Sequence, residues 1–187
     1  METRLPTTYV AGVTIQPVAP NPAVFVRPAT ARDVTFLTDV VLVATRSQGR
    51  LPADFDEPEY RAGFGEWTAG QIAGQIAGQL TGLGAGPHPC SVTSVIEIDG
   101  ARAGRQRVVR APDHLELAGI QLLPAHQGHG LGTYLIEQFL LDARRAGLPA
   151  RITVENDNPR ARALYERLGF VAVAVSDDET TLEWPAP

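Results

Sequence analysis

The chain has 187 residues, 44% of them hydrophobic and 20% charged, which is enough for one globular domain with its own core. The formal net charge of −5 argues against a general electrostatic attraction to nucleic acid or to an anionic membrane surface. The single cysteine, Cys90, cannot form an intrachain disulfide, and no apolar run approaches the ~18 residues of a membrane span, so a cytoplasmic location is expected.

The N-terminal segment is rich in proline. Residues 1–23 contain four prolines and show little periodicity, so they are expected to form an extended arm. One edge strand is expected within this arm, at Tyr9–Ile15. Residues 24–187 are expected to form a single domain.

A strand and two helices are predicted in the first half of this domain. Val24–Arg27 is typical of a short strand, and Thr30 followed by Asp33 has the spacing of a capping box at the start of a helix over 31–45. A second helix is predicted over 59–80, where the sequence Ala-Gly-Gln-Ile repeats. The glycines of this repeat form a stripe of small residues that favours burial against a second element. Another copy of the chain is one candidate for that element, which gives the hypothesis of a homodimer.

The second half predicts a hairpin-rich sheet with two further helices. The Asp99-Gly100 pair between two apolar runs is a strong signal for a tight hairpin turn. The predicted strands cover 91–98, 102–110, 115–123, 151–155, 170–175 and 180–184. A helix is predicted over 131–146, and Asn158 caps a short helix that stops at Gly169. The order βα(α)βββαβαββ indicates a mixed α/β fold.

A glycine-rich turn joins the strand at 115–123 to the helix at 131–146, with the sequence Gln127-Gly-His-Gly-Leu-Gly132. Glycines leave backbone N–H groups accessible at the positive end of the helix, where they can hold a pyrophosphate. Glycines also occur in ordinary strand-to-helix turns, so the spacing alone leaves both interpretations open. A Walker loop needs a lysine that the chain does not have, and a dinucleotide-binding turn needs one more residue between its glycines.

This turn resembles the Q/R-x-x-G-x-G/A acyl-CoA loop of the GNAT superfamily of N-acyltransferases. Residues 154–170, which include Asn158 and Tyr165, are similar to the second conserved block of that superfamily. The resemblance covers roughly residues 24–184. It implies a mixed, mostly antiparallel sheet with helices on both faces and a splayed parallel strand pair that holds acyl-CoA. His129 departs from the pattern, because the family often has arginine there.

The resemblance also implies a reaction and a set of binding residues. The reaction is transfer of an acetyl group from acetyl-CoA to a primary amine of a small molecule or peptide, by direct attack in a ternary complex and without a metal. Backbone groups at the end of the strand would bind the pantetheine, the turn would hold the pyrophosphate, and Asn158 would meet the coenzyme arm. The residues implied for the strand end and the turn are Leu122, Leu123, Gln127, Gly128, His129, Gly130, Leu131, Gly132 and Thr133.

Two residues are candidates for proton transfer. Tyr165 would act as the general acid that protonates the departing thiolate, although its spacing also fits a packing residue of the helix. Glu116 would act as the general base, with His114 as its rival. A solvated strand residue is the alternative interpretation for each of these two, and water chains can replace a dedicated base.

The acceptor is not identified by the sequence. The loop over 46–60 is expected to border the acceptor site, and its acidic residues would suit a cationic amine. The arginines of the 102–110 strand could instead serve coenzyme phosphate or an acidic acceptor, or form a solvated strand face. The acidic residues are Asp54, Asp56, Glu57 and Glu59, and the arginines are Arg102, Arg105, Arg107 and Arg110. A non-catalytic acyl-CoA-binding module on the same fold is the alternative function, and the intact turn and Tyr165 favour the enzyme.

Overall fold

The computed structural model describes residues 9–10, 13–14, 23–81 and 90–185. Most of the predicted arm and the glycines at 82, 84 and 86 lie outside the described residues. Side chains are described for 23–75 and 90–185.

The described strands agree closely with the predicted ones. The Asp99-Gly100 turn is confirmed, because Asp99 has a φ of 51° and Gly100 a φ of 80°, as a tight two-residue hairpin requires. The strands are β1 Tyr9–Val10, β2 Val13–Thr14, β3 Val24–Pro28, β4 Cys90–Ile98, β5 Ala101–Arg110, β6 Leu115–Leu122, β7 Ala150–Glu155, β8 Val171–Val175 and β9 Glu179–Trp184.

The described helices also match the prediction, with a difference at the first one. A short 3-10 turn at Ala31–Asp33 precedes it, so the regular helix begins three residues later than the capping box suggested. The helices are α1 Val34–Ser47, α2 Glu57–Thr81, α3 Leu131–Ala146 and α4 Pro159–Arg167. None of these described helices is long and apolar enough to cross a membrane.

One seven-stranded sheet organises the chain, in the order β3-β4-β5-β6-β7-β9-β8. Every neighbouring pair in it is antiparallel except β6 and β7, which are parallel. The predicted mixed and mostly antiparallel fold is therefore confirmed. The strand expected at Tyr9–Ile15 differs, because β1 and β2 are two short strands that pair with each other outside this sheet.

Helices cover both faces of the sheet. On one face, α3 and α4 pack against β6, β7 and β9 around a cluster that includes Phe139, Ile152 and Leu182, each at most 3% exposed. On the other face, Leu37 of α1 and Ile72 of α2 pack against Val95 of β4. The central strands of the sheet are thus buried from both sides and hold the core, whereas β8 at its edge is exposed.

Three glycines of α2 are not buried within the chain. Gly63, Gly70 and Gly74 are exposed, and a Cβ built at any of them meets no described atom within 4 Å. The buried face carries instead Thr68, Ile72 and Gln75. Burial of these glycines against another element of the same chain is therefore wrong among the described residues, and burial against another copy stays a prediction.

An ion pair anchors β3 to the start of α1. Asp33 is 3% exposed and accepts two hydrogen bonds from the Arg27 guanidinium, at 2.8 and 3.0 Å, and one from the Thr30 backbone N–H at 2.9 Å. Arg27 also donates to Glu97 of β4 at 2.8 Å. The Arg27 guanidinium beside Asp33 holds the pKa of that carboxyl well below its usual range.

Replacing Asp33 by Asn is expected to lower the free energy of unfolding at neutral pH by about 2 kcal/mol. This is less than the ~3–5 kcal/mol of a fully buried pair, because the Arg27 side chain is 36% exposed. A lowered carboxyl pKa stabilises the fold above the unfolded value of about 4 and loses that contribution as the pH falls below it. The variant should therefore lose less stability than the wild type between about pH 5 and pH 2, in urea unfolding followed by circular dichroism.

The matched control is Asp39→Asn. Asp39 pairs with Arg61 between two helices, and both side chains are about 40% exposed, so the expected loss is below about 1 kcal/mol. Equal losses in the two variants would contradict the anchoring role of Asp33.

Candidate functional site

The two parallel strands separate after three residue pairs. Leu115, Glu116 and Leu117 of β6 lie opposite 150–152 of β7, and no pairing follows in the rest of these two strands. Beyond this point β6 stays paired with β5, while β7 stays paired with β9 along its whole length. A gap therefore opens between β6 and β7, lined by backbone groups that have no strand partner across it.

A β-bulge explains why the strands separate here. Arg107 of β5 lies opposite Gly119, but the next residue, Val108, lies opposite Leu117, so Ala118 is an extra residue in β6. A bulge bends its strand and increases its twist, which turns the remainder of β6 away from β7. The bulge directly follows the last paired residue.

The glycine-rich turn brings the start of α3 to the end of β6. Gly128 has a φ of 79° and Gly130 a φ of 81°, a backbone conformation that favours glycine. Gly130 is the N-cap of α3, and no side chain of the described residues caps this helix. The first-turn N–H groups of Leu131, Gly132 and Thr133 are therefore available to bind an anion. The positive end of the helix dipole lies at the same place and stabilises a bound anion.

The third glycine of the turn lies in the first turn of α3. A Cβ at Gly132 would lie 4.0 Å from Leu164 Cδ2 of α4, an ordinary van der Waals distance, so packing against α4 does not require glycine there. His129, between the first two glycines, is exposed.

The side chain of Gln127 ties the turn to the strand. Its Nε2 donates to the backbone oxygen of Leu122 at 2.8 Å. The N–H of Leu123 donates to the backbone oxygen of Ala103 in β5 at 2.8 Å. These two groups, predicted to meet pantetheine, are thus already paired within the protein, and the unpaired part of β6 lies earlier, around 118–121.

Tyr165 lies in α4, which follows the end of β7. It is 7% exposed and packs edge-on against Phe170 at a ring-centroid distance of 6.0 Å, within the cluster under α3 and α4. Burial, and to a smaller extent the charge of Glu155, raise the pKa of Tyr165 to about 12. Its hydroxyl is therefore protonated at neutral pH.

Asn158 has the capping role predicted for it. Its Oδ1 accepts the N–H of Ala161 at 3.2 Å, and Pro159 occupies the first position of α4. Since β7 ends at Glu155, this cap lies at the open end of the gap between β6 and β7.

The two candidate bases occupy different positions along β6. Glu116 lies one residue before the strands separate and on the sheet face opposite to that of Leu115 and Leu117. His114 precedes β6, and its Nδ1 lies 2.8 Å from Asp113 and 3.4 Å from Arg151. Two residues of strand, or about 7 Å, separate His114 from Glu116, so Glu116 is the nearer to the gap.

The acidic loop between α1 and α2 is occupied by structural contacts. Asp56 accepts the N–H of Glu59 at 2.9 Å at the start of α2, and Glu57 pairs with Arg46 and Arg61. These bonds lower the pKa of Glu57, with Arg46 as the main cause. The loop therefore presents less free negative charge than its sequence suggested.

A contact that the sequence did not reveal joins this loop to the end of β7. Arg50 donates to Asp157 at 2.6 and 3.0 Å and lies 3.5 Å from Glu155. The Arg50 side chain is 17% exposed. It thus holds the loop across the open end of the gap, a contact between residues 107 apart in the chain that no local pattern could indicate.

The arginines of β5 are not a uniformly solvated row. Arg102 lies 4.6 Å from the Phe36 ring centre and 3.7 Å from Asp33, near the anchor of α1. Arg105 is 6% exposed and Arg107 is half-buried, and both face α2, above Phe64 and Trp67 respectively. The interpretation of a solvated face was wrong for Arg105, because α2 covers that part of the sheet.

Comparison with known proteins agrees with this geometry. Residues 43–170 match the model of the Acetyltransferase (GNAT) family. A 75-residue stretch is 38% identical to mycothiol acetyltransferase of Nocardia farcinica, covering 40% of this chain and 24% of that protein. A 74-residue stretch is 39% identical to N-alpha-acetyltransferase RimI of Mycobacterium tuberculosis, covering 39% of this chain and 46% of that protein. The chain thus spans less than half the length of either relative.

Solved structures share the fold over most of the chain. PaiA N-acetyltransferase of Thermoplasma acidophilum, in complex with coenzyme A, has a TM-score of 0.66 at 14% identity, covering 86% of this chain and 97% of that one. RimJ of Mycobacterium smegmatis, in complex with CoA-disulfide, has a TM-score of 0.64 at 17% identity, covering 91% of this chain and 86% of that one. At these identities the likeness establishes the fold alone.

Replacing Asn158 by Ala is expected to lower the free energy of unfolding by about 1 kcal/mol, because the N–H of Ala161 loses its acceptor. Asn158→Asp retains an acceptor at the same place and should keep the stability within about 0.5 kcal/mol of the wild type. Urea unfolding of the three proteins measures both values. Equal destabilisation by Ala and Asp would contradict the capping role.

Proposed function

The chain belongs to the acetyltransferase (GNAT) family, and on that basis we propose that it transfers an acetyl group from acetyl-CoA to a primary amine. The amine nitrogen forms a bond to the acetyl carbon while the carbon–sulfur bond breaks. The proton lost by the amine balances the one gained by the CoA thiol. The acceptor is a small molecule or a peptide, and the chemistry needs no metal.

The observation that carries this proposal is the position of the strand gap beside the uncapped start of α3. The Gln127–Leu122 hydrogen bond connects the two, since it joins the glycine-rich turn to the last residue of β6. A long molecule with an anionic end can therefore extend its pyrophosphate to the N–H groups of 131–133 and its thioester into the gap. Coenzyme A has this shape and charge.

Each predicted coenzyme-binding residue has a role in the proposal. Gly128 and Gly130 give the turn its backbone conformation, and His129 is an exposed contact for phosphate. Gln127 positions the turn, and Leu122 and Leu123 end the strand along which pantetheine lies. Unpaired backbone groups of residues 118–121 bind the pantetheine and polarise the thioester carbonyl. Asn158 orients the start of α4 at the open end of the gap.

Tyr165 is proposed to assist the departing thiolate. A thiol has a pKa of about 8.5, well below the value of about 12 that burial gives to the Tyr165 hydroxyl. Complete transfer of the phenol proton to sulfur is therefore unfavourable by itself. The hydroxyl acts best by donating a hydrogen bond to the sulfur as negative charge develops there.

Glu116 is the better placed of the two candidate bases. It lies one residue before the last paired residue, whereas His114 precedes β6 and its Nδ1 lies 2.8 Å from Asp113. We assign to Glu116 removal of the amine proton, directly or through one water molecule.

The remaining aspects of function follow from composition and surface. A single free cysteine and the formal net charge of −5 favour a cytoplasmic protein that binds neither nucleic acid nor membrane. A homodimer remains our hypothesis. Its best support is β8, an edge strand in which Val171, Val173 and Val175 are each more than half exposed.

Isothermal titration with acetyl-CoA, followed by a thiol-release assay over a panel of amines, tests the proposed reaction. The expected result is binding together with amine-dependent release of thiol. Binding without any such release would favour the non-catalytic acyl-CoA-binding module instead.

Replacing Gly130 by Ala is expected to weaken acetyl-CoA binding about 10-fold, because the new side chain strains the left-handed N-cap and shifts the N–H groups of the turn. Gly147→Ala is the matched control, since Gly147 has a φ of 63° at the other end of the same helix. Both variants should lose about 1 kcal/mol of stability, but only Gly130→Ala should lose affinity by titration calorimetry. An equal loss of affinity in both would contradict the role of the turn.

Replacing Tyr165 by Phe is expected to lower kcat about 10- to 100-fold while acetyl-CoA affinity is unchanged. Stability should change little, because the Tyr165 hydroxyl forms no hydrogen bond with a described residue. Tyr134→Phe, which removes a partly buried hydroxyl from α3, is the control and should retain kcat. A Tyr165→Phe enzyme with wild-type kcat would refute the proposed role.

A further inference from the structure

The side chain of Arg105 is a buried cation between the sheet and α2. Arg105 is 6% exposed, and its guanidinium carbon lies 5.5 Å from the ring centre of Phe64. Burial lowers the pKa of Arg105 to about 10, so it still carries its charge at neutral pH. Among the described residues, its Nε has no hydrogen-bond partner.

No carboxylate of the described residues stabilises this charge. The groups that act on it through space are the Tyr60 phenol and a second cation, Arg107. Arg107 lies 5.2 Å from the Trp67 ring centre and donates to Gln71 at 3.3 Å. A buried guanidinium without an anion is destabilising relative to a paired one, and a neighbouring cation adds repulsion. An anion that bound here would remove both penalties.

The strand beside Arg105 presents a glycine and a second unpartnered polar group. Gln121 of β6 lies directly opposite Arg105, and its Oε1 is likewise buried without a partner among the described residues. A Cβ at Gly119 would lie 3.7 Å from the Arg105 Nη2 and 3.7 Å from the Gln121 Oε1, so any larger side chain there would fill the space beside both groups. Gly119 and Gln121 belong to the part of β6 that has separated from β7, where the thioester is proposed to lie.

We propose that the acceptor is a small amine that also carries a carboxylate, and that Arg105 binds this carboxylate. This inference rests on the proposed acetyl transfer, since it names the substrate class of that reaction. A planar guanidinium matches a carboxylate with two parallel hydrogen bonds, which is the geometry that arginine provides better than lysine. The Oε1 of Gln121 accepts a hydrogen bond from the amine of the same molecule. Glu116 lies on the same face of β6, nearer the start of the strand.

Matched pairs of acceptors test the substrate class on the wild-type protein. The acceptors are glycine, β-alanine and γ-aminobutyrate, each against its own carboxamide, in the acetyl-CoA thiol-release assay. At least one of the amino acids is expected to exceed its carboxamide by about 10-fold or more in kcat/KM, the effect of a charge-assisted hydrogen bond. The carboxamide of glycine has a less basic amine than glycine and therefore more free amine at neutral pH. This difference favours the carboxamide, so it works against the expected result. Phosphoethanolamine carries a phosphate in place of the carboxylate, and its kcat/KM is expected to be lower than that of the best amino acid.

A pair of arginine variants tests the assignment to Arg105. Arg105→Met keeps an unbranched apolar chain against Phe64 and removes the charge, so it should abolish the preference for the amino acid by raising its KM. Turnover of the carboxamide and affinity for acetyl-CoA should be retained. Arg102→Met is the control, because Arg102 lies on the same strand with a side chain that is 46% exposed and contacts Asp33 and Phe36. The Arg102→Met variant should keep the preference for the amino acid over its carboxamide.

The outcomes separate this inference from the proposed function. Equal turnover of every amino acid and its carboxamide would overturn the carboxylate site while leaving acetyl transfer intact, and better turnover of phosphoethanolamine would overturn the choice of carboxylate. Amino acids that bind by titration calorimetry to the wild type but not to Arg105→Met, without thiol release, would support the anion site and refute the transfer reaction. If Arg105→Met does not fold, the wild-type acceptor pairs decide the question alone.

Discussion

The hydrogen bonding between β6 and β7 can continue for only three residue pairs, because the bulge at Ala118 turns β6 while β9 holds β7 along its whole length. Every other part of the candidate site takes its position from this divergence. The gap exposes backbone groups of β6, the glycine-rich turn follows β6 after four intervening residues, and α4 follows β7 after three. A continuous parallel pair would bury the same backbone groups in a ladder.

The two faces of the sheet differ in chemistry. The face under α3 and α4 is a continuous apolar cluster that includes Tyr165. The face under α1 and α2 combines a small apolar cluster with buried polar groups, among them Arg105 and Gln75. A rigid apolar side suits the coenzyme that all members of a family share, while a polar side suits recognition of a particular acceptor.

Local patterns predicted the helices, the strands and the glycine-rich turn well. They failed where the prediction depended on which face of a helix or strand is buried. The Asp99-Gly100 hairpin, the Asn158 cap and the glycines at 128 and 130 depend on backbone conformation within a few residues, which the local sequence reveals. Gly63, Gly70 and Gly74 of α2 are exposed where a buried stripe was expected. The pairing of Arg46 and Arg61 with Glu57 in the acidic loop is likewise a contact that the local pattern did not indicate.

The sequence by itself determined the order of strands and helices, the glycine-rich turn and the family to which they belong, because these features are encoded by neighbouring residues. Only the tertiary structure decided where the parallel strands separate, which arginine of β5 is buried, and that Arg50 reaches Asp157. These properties arise from contacts between residues far apart in the chain. Burial of Arg105 in particular requires α2 to lie across β5, which no pattern within β5 could indicate.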